Sequence, residues 1–345
     1  MKTTGHAITL LTLGALLLSG CGGSADDEAE ASSGSNDEHS DEVQALINEA
    51  QEAGPVTFYS MIDEAALRVI AENFTEEFDV DVRPVRLVTG DLTQRFSTEA
   101  ASGTAVADLI LMTRSPFFAE ALEEDWLTAV NELDLPDIDG ELPDELWEDD
   151  GATPITSLIP TDAVINTDEV SDPLESWEDY ADAEFEGSLL LAEPDSSPAN
   201  ASFWSLMRQE FGDEFLEAIA QNDPTWMDSA VPVTQAVAAG ESQLGHPGVN
   251  AIVNNLTEQG APVDIVEMSP TTGPEAALGI SSNSPNQAGA RLLAAYLMGE
   301  EGNILLNDVT DAISPYDEEA GERFTRTSDI QNVDNDEINS LLGRN

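Results

Sequence analysis

Positive charge is nearly missing from this chain: 11 Lys plus Arg stand against 69 Asp plus Glu, a formal net charge of −58. Lys2 is the only lysine, so every other basic residue is an arginine. With no basic patch to meet phosphates, nucleic-acid binding is excluded. Cysteine is reduced to Cys21, which excludes an internal disulfide. Histidine is scarce: beyond residue 54 only His246 is available as an imidazole base. No G-x-S-x-G elbow and no H-E-x-x-H motif occurs. No apolar run reaches the ~20 residues that cross a bilayer.

Hydrophobic residues still make up 41% of the chain, enough for a packed core. The acids fall in nearly every helix and loop, which reads as adaptation to solvent and not as a partner surface. Self-repulsion at this charge is hard to sustain at low salt, but at 1 M salt the Debye length is only about 3 Å. The composition reads as that of a halophile's protein, haloarchaeal-like in its excess of acids.

The first residues carry an address. Lys2 precedes the apolar run AITLLTLGALLL, short of a membrane span and of the length of a signal-peptide core. Leu18-Ser19-Gly20-Cys21 resembles a lipobox, the motif at which prokaryotic lipoproteins are cleaved and lipidated on cysteine. Residues 1–20 are therefore expected to be a signal peptide and Cys21 the lipid-bearing residue, at the extracellular face of the cell membrane. GGSADDEAEASSGSNDEHSDE has no apolar periodicity and reads as an acidic tether, residues 21–53 including a lead-in helix VQALINEAQEAG. Sequons occur at Asn73, Asn200 and Asn255.

Roughly 290 residues remain, enough for two lobes. PVTFYSM, DVRPVRLV and ADLILM read as strands; DEAALRVIAENFTEEF, GDLTQRFSTEAASG and SPFFAEALEEDWL read as the helices between and after them. This alternation predicts an α/β fold with a mostly parallel sheet flanked by helices. Residues 131–151 form a loose acidic segment whose DLPDIDGE stretch fails as an EF-hand, with Leu135 and Leu146 at ligand positions. SLLLAEP, TWMDS, SQLGHP and PVDIVEM then alternate with helical segments, and PEAALGI is a further strand candidate. PNQAGARLLAAYLMGEEGNILLND is a long helix broken near Gly299, with Leu292, Leu293, Tyr296 and Leu297 as a core stripe. The lobes are expected at 54–155 plus about 268–300, and at 156–267 plus about 301–345.

In this order the pieces resemble the extracellular solute-binding proteins of ABC importers, class II periplasmic-binding-protein fold, in the iron(III)-type branch. The resemblance rests on VTFYSMIDEAALRVIAENFTEEF followed by GDLTQRFSTEA, on ADLILMTRSPFFAEALEEDWL, AVINTDEV and PLESWEDYADAEFEGSLLLAEPDSSPA, and on TQAVAAGESQLGHP and SPNQAGARLLAAYLMGEEGNILL. It covers about Pro55 to Val309. It implies two α/β lobes with a ligand cleft between them, capture of a small anionic or ferric ligand, delivery to a permease and an ATPase, no cofactor, no enzymatic activity and a monomer.

In open parallel sheets, ligands sit beyond the carboxyl ends of strands and near helix starts. That places the candidate site at Ser60 and Met61, at Thr89, Gly90 and Asp91, and at Thr113, Arg114 and Ser115. From the second half come Ser196, Ser197, Asp228, Ser229, His246 and Asn250. Arg114 is the sharpest choice for an anion, though it could equally form a surface ion pair. Met61 suits packing as well as contact, and a lone His246 suits a hydrogen-bonded structural role. Asp108 reads as a residue orienting a loop. Ferric-binding members of the branch usually present adjacent tyrosines soon after the G-E-x-x-L-G strand. Here His246-Pro247-Gly248-Val249-Asn250 stands there, and Tyr59, Tyr180, Tyr296 and Tyr316 are scattered. No metal site is assigned. Two other classes remain open: a secreted hydrolase, and a sensory or structural surface lipoprotein on the same fold.

Mass spectrometry of the mature protein tests the address. A chain beginning at Cys21 with a diacylglyceryl thioether is expected; a free thiol, or another mature start, refutes it.

Overall fold

The computed structural model describes residues 39–140, 142–171, 174–331 and 334–344. The expected signal peptide, Cys21 and most of the tether lie outside the described residues. Along the chain run α1 (Asp41–Ala53), β1 (Val56–Ser60), α2 (Glu64–Phe78), β2 (Val82–Arg86), α3 (Thr89–Ala101), β3 (Leu109–Thr113), α4 (Phe117–Glu123), the short β4 (Leu127–Thr128) and β5 (Trp147–Glu148), and β6 (Thr153–Leu158). Next come β7 (Asp162–Asn166), β8 (Leu189–Ala192), α5 (Pro198–Phe211), α6 (Asp213–Gln221), β9 (Thr225–Met227), α7 (Ala230–Ala238), β10 (Leu244–Gly248), α8 (Asn250–Glu258) and β11 (Val263–Val266). The chain closes with β12 (Glu275–Ser281), α9 (Gln287–Met298), α10 (Glu300–Asp308), α11 (Glu318–Glu322) and α12 (Asn335–Leu341).

The strands form two sheets, as the alternating pattern predicts. The first has the order β2-β1-β3-β12-β6-β5, with β4 beside β12; the second has the order β11-β7-β10-β8-β9. Strand β1 is parallel to β2 and β3, and β10 and β9 are parallel to β8. One inner strand in each sheet is reversed: β12 in the first, β7 in the second. These are the strands by which the chain enters each sheet from the other. Both sheets are buried on two faces, so side chains of one strand alternate between two cores. Val56 and Phe58 of β1, with Leu109 and Leu111 of β3, face α1, α2 and α9, whereas Tyr59, Ile110 and Met112 face α3 and α4. The stripe Leu292, Leu293, Tyr296 and Leu297 lies in the first of these cores. Asp108 is buried and orients a loop as expected, accepting hydrogen bonds from Thr57 N (2.7 Å), Asn286 N (2.8 Å) and Ser284 Oγ (2.5 Å).

The sequence reading places residues beyond about 300 with the second lobe. The structure packs α10 on α9 and α2, with Leu306 in the first core. The break at Gly299 bends the helix without taking it out of the lobe, and an added Cβ there would meet the Ile138 carbonyl oxygen at 2.0 Å, so the close approach needs glycine. Beyond α10, Ile330 and α12 pack into the second lobe, α12 against α5 and α6.

Three segments run between the lobes. Residues 159–161 lie beside 272–274 through Ile159 N to Pro274 O (2.9 Å) and Thr161 N to Thr272 O (3.1 Å). The third segment joins through Thr271 N to Arg323 O and Thr325 N to Thr271 O, both 2.7 Å. A Cβ on Gly273 would sit 2.1 Å from the Ile159 carbonyl oxygen, so only glycine lets the first two crossings lie this close. Buried charges pin the same place. Arg323 Nη1 bonds Asp162 Oδ1 at 2.8 Å. Arg326 Nη2 bonds Glu275 at 2.7 Å and Glu148 at 2.6 Å, and its Nη1 donates to the Glu145 carbonyl. Desolvation holds the Asp162 carboxyl above its ordinary range even with Arg323 beside it. Removing Arg323 would therefore leave the buried Asp162 carboxylate with no cation beside it.

His246 ends up in the second core. Its ring stacks on Phe203 with centroids 3.5 Å apart and meets Trp177 edge-on at 5.2 Å. Nε2 lies 3.3 Å from the Thr161 carbonyl oxygen, and burial pushes its pKa down to about 3. Among the described residues, the non-glycine positions with positive φ are seven aspartates: Asp79, Asp125, Asp139, Asp149, Asp150, Asp223 and Asp311. Asp and Asn tolerate this left-handed region better than other non-glycine residues.

Two measurements follow. Denaturant unfolding in molar salt should show Arg323→Ala, which leaves the buried Asp162 carboxylate without a cation, losing roughly 3–5 kcal/mol. Arg208→Ala, which breaks a pair with the exposed Asp213 and Glu337, should lose less than about 1 kcal/mol. Equal losses would remove the hinge charges from their central role. For His246, the unfolded ring protonates near pH 6.5 while the folded one stays neutral to about 3. Its contribution is complete above pH 6.5 and falls, by up to about 1.4 kcal/mol per pH unit, as pH drops toward 3. His246→Phe should lessen the loss of stability between pH 7 and 5 relative to the native chain; parallel profiles would refute the assignment.

Candidate functional site

The carboxyl ends of β1, β2 and β3 come together, and Met61 is their meeting point. Its Sδ lies 3.1 Å from Thr113 N, 3.2 Å from Thr113 Oγ1 and 3.7 Å from Thr89 Oγ1. Three of the sequence-predicted residues thus share one contact. Ser60 is fully buried, and its Oγ accepts from Ile62 N at 3.2 Å, so it shapes the turn that projects Met61. Gly90 and Asp91 are exposed in the first turn of α3. Strand β2 ends at Arg86, in register with Ser60.

A cleft of about 670 Å³ lies between the lobes. Met61, Arg86, Ser157 and Ala276 line it from the first lobe; Val249, Asn254, Asn255 and Glu258 line it from the second. The segment after α10 closes one side, where Asn254 Nδ2 donates to Asp311 Oδ2 at 2.9 Å. Asn250 reaches the same segment through the Asp311 carbonyl at 3.5 Å. Asp63 is also on the cleft wall, but its carboxylate is engaged as the cap of α2, accepting from Ala65 N and Ala66 N. A cavity of about 660 Å³ around Leu135, Asp144 and Trp147 belongs to the first lobe alone.

Arg114 does not stand free. Its guanidinium bonds Glu148 at 3.0 Å and approaches Asp149 at 3.9 Å, joining it to the Arg326–Glu148 pair of the hinge. Ser115, half-buried, begins the turn into α4, its carbonyl accepting from Phe118 N at 3.1 Å. In the second lobe Ser197 caps α5 and Ser196 Oγ donates to the Glu193 carbonyl at 2.6 Å, while Asp228 and Ser229 are exposed after β9. His246 ends with its ring inside the second core and not on the cleft. The sequon at Asn200 is closed too, because that side chain is buried and bonded to Ser196 Oγ at 2.7 Å.

Arg86 is the residue that the sequence reading passed over. It is exposed and lines the cleft, and its guanidinium makes no ion pair or hydrogen bond among the described residues. The signal was its place at a strand end; the reading ran that strand two residues too far and took the turn at Thr89 instead. None of the four tyrosines lines the cleft. Tyr59 Oη bonds Glu99, Tyr180 Oη bonds the Gly245 carbonyl, Tyr316 Oη bonds the Met298 carbonyl, and Tyr296 packs on Phe74. Among the described residues, no group of three His, Cys, Asp or Glu stands together as a metal site, and no helix is long and apolar enough to cross a membrane.

The fold has many solved counterparts. A Trichodesmium FutA, described in complex with iron and citrate, matches at 17% identity and a TM-score of 0.61, over 84% of this chain and 98% of that one. Iron-bound HitA from Pseudomonas aeruginosa matches at 16% and 0.60, over 84% and 98%. AfuA from Actinobacillus pleuropneumoniae, with fructose-6-phosphate bound, matches at 18% and 0.56, over 84% and 97%. No curated protein matches the chain by sequence. At these identities the structures show the fold. The family itself is shown by a sequence model covering residues 56–308, from the first strand to the end of α10: the chain belongs to the bacterial extracellular solute-binding proteins.

Proposed function

We propose that the chain is the extracellular receptor of an ABC importer, capturing a small anionic solute in the interlobe cleft and presenting it to a permease and its ATPase. The observation that carries the anion is Arg86: an exposed guanidinium on the cleft wall with no partner among the described residues, in a chain with 69 acids. A ligand carboxylate or phosphate could take it in bidentate fashion. If iron is the cargo, the geometry favours a ferric carboxylate chelate over a bare ion, since no tyrosine reaches the cleft. FutA's iron and citrate, and AfuA's sugar phosphate, are in keeping with an anionic ligand. The hydrolase reading has no observation in its favour: the sole imidazole beyond residue 54 is buried away from the cleft. A lipid on Cys21 would keep a monomeric receptor beside its transporter, two acyl chains giving stable anchoring where one does not.

Thermal-shift assays in molar potassium chloride test this with citrate, ferric citrate, inorganic phosphate and sugar phosphates. At a hundred times Kd the stabilisation is about 2.7 kcal/mol. Arg86→Ala should weaken binding of the active ligand at least about tenfold, with the ligand-free melt unchanged. Arg114→Ala should lower the ligand-free melt and spare binding. No shift with any anion, or full binding by Arg86→Ala, overturns the proposal.

A further inference from the structure

The contacts of Met61 are unusual for a thioether. Sulfur is a weak acceptor, yet one amide N–H and two hydroxyls are directed at it from the end of one strand and the start of a helix. Neither Thr89 Oγ1 nor Thr113 Oγ1 has another hydrogen-bond partner among the described residues. Thr113 is the last residue of β3 and Thr89 opens α3, so the donors are fixed by the sheet and by the start of a helix. Such a convergence of donors on one point is the arrangement that holds an ionised oxygen, and hydrogen bonds to an ionised acceptor are roughly twice as strong as neutral ones. Met61 also lines the cleft, and Arg86 stands on the neighbouring strand opposite Ser60, the residue before it.

We propose that Met61 is a placeholder: its sulfur holds the position that a carboxylate or phosphate oxygen of the ligand takes. This rests on the reading of the cleft as an anion site and names what the first lobe does there. The methionine side chain has three rotatable bonds and a polarizable sulfur, so it fills the donor cradle and swings away at modest cost. Arg86 supplies the countercharge; the Thr113 amide and the two hydroxyls supply direction. A branched apolar residue at position 61 would leave the donors unpartnered, and a carboxylate there would seal the cradle against an anion.

Isothermal calorimetry on the mature chain in molar salt decides it, with citrate and inorganic phosphate as separate probes and Met61→Ala, Met61→Leu, Thr113→Val and Arg86→Ala as variants. Met61→Ala should bind the active anion roughly three- to tenfold more tightly, because the competing occupant is gone. Met61→Leu should also tighten binding, which keeps the test valid should the alanine variant fail to fold. Thr113→Val should weaken binding both with and without Met61. Binding by citrate alone assigns a carboxylate oxygen, and by phosphate alone a phosphate oxygen. If the native chain binds and Arg86→Ala abolishes it, yet both Met61 variants bind equally or more weakly, the placeholder is refuted and the anion site stands. If neither probe binds the native chain, the placeholder is refuted together with the carboxylate-or-phosphate reading.

Discussion

Everything in the folded body hangs on a few buried charges where the chain passes between its lobes. Arg323 with Asp162, and Arg326 with Glu275 and Glu148, fasten the three crossing segments to one another. The pairs are costly to bury, as the raised Asp162 carboxyl shows, and their worth lies less in net stability than in fixing which strand lies against which. A chain so poor in cations commits two of them, and through Arg114 a third, to this one place. Salt screens exposed pairs but reaches buried ones far less, so the hinge is the part of the molecule least sensitive to the medium.

The cleft inherits its geometry from that frame. Ser157 and Ala276, on its floor, belong to the two strands that lead into and out of the crossings. Met61, Thr113 and Arg86 stand at the ends of three adjacent parallel strands, each held by the cores on both faces of the sheet. Hinge closure around a ligand is an established kind of transition for two-lobed proteins. A bond such as Asn254 to Asp311, between a second-lobe helix and the segment returning from the first, is of the sort such a motion would make or break.

Much of this was legible in the sequence. Apolar periodicity and glycine or serine boundaries mark the strands and helices, because both cores select for them one residue at a time. The direction of a strand leaves no such mark: β12 and β7 have the same buried composition as their neighbours, and only the crossings reverse them. The position of α10 was hidden likewise, since a glycine break signals a bend and not a change of lobe. Among the candidate site residues, Met61, Thr89 and Thr113 could be brought together from sequence because strand ends and helix starts on one edge of a parallel sheet converge. Arg114 and Arg86 are alike in sequence terms, and what separates them is Glu148, a neighbour 34 positions along the chain from Arg114. His246 could not be placed without its aromatic surroundings, Phe203 and Trp177.

The seven left-handed aspartates have a bearing on how such a chain could be handled. Asparagine adopts this backbone region as readily as aspartate. At Asp79, Asp125, Asp139, Asp150 and Asp223 the carboxylate has no hydrogen bond or ion pair among the described residues, so the turn needs the shape of the residue and not its charge. Replacing these five by asparagine would thin the surface charge while leaving each turn as it is. At these five positions the acidity is separable from the fold, because the backbone there asks for a short polar side chain and not for a charge.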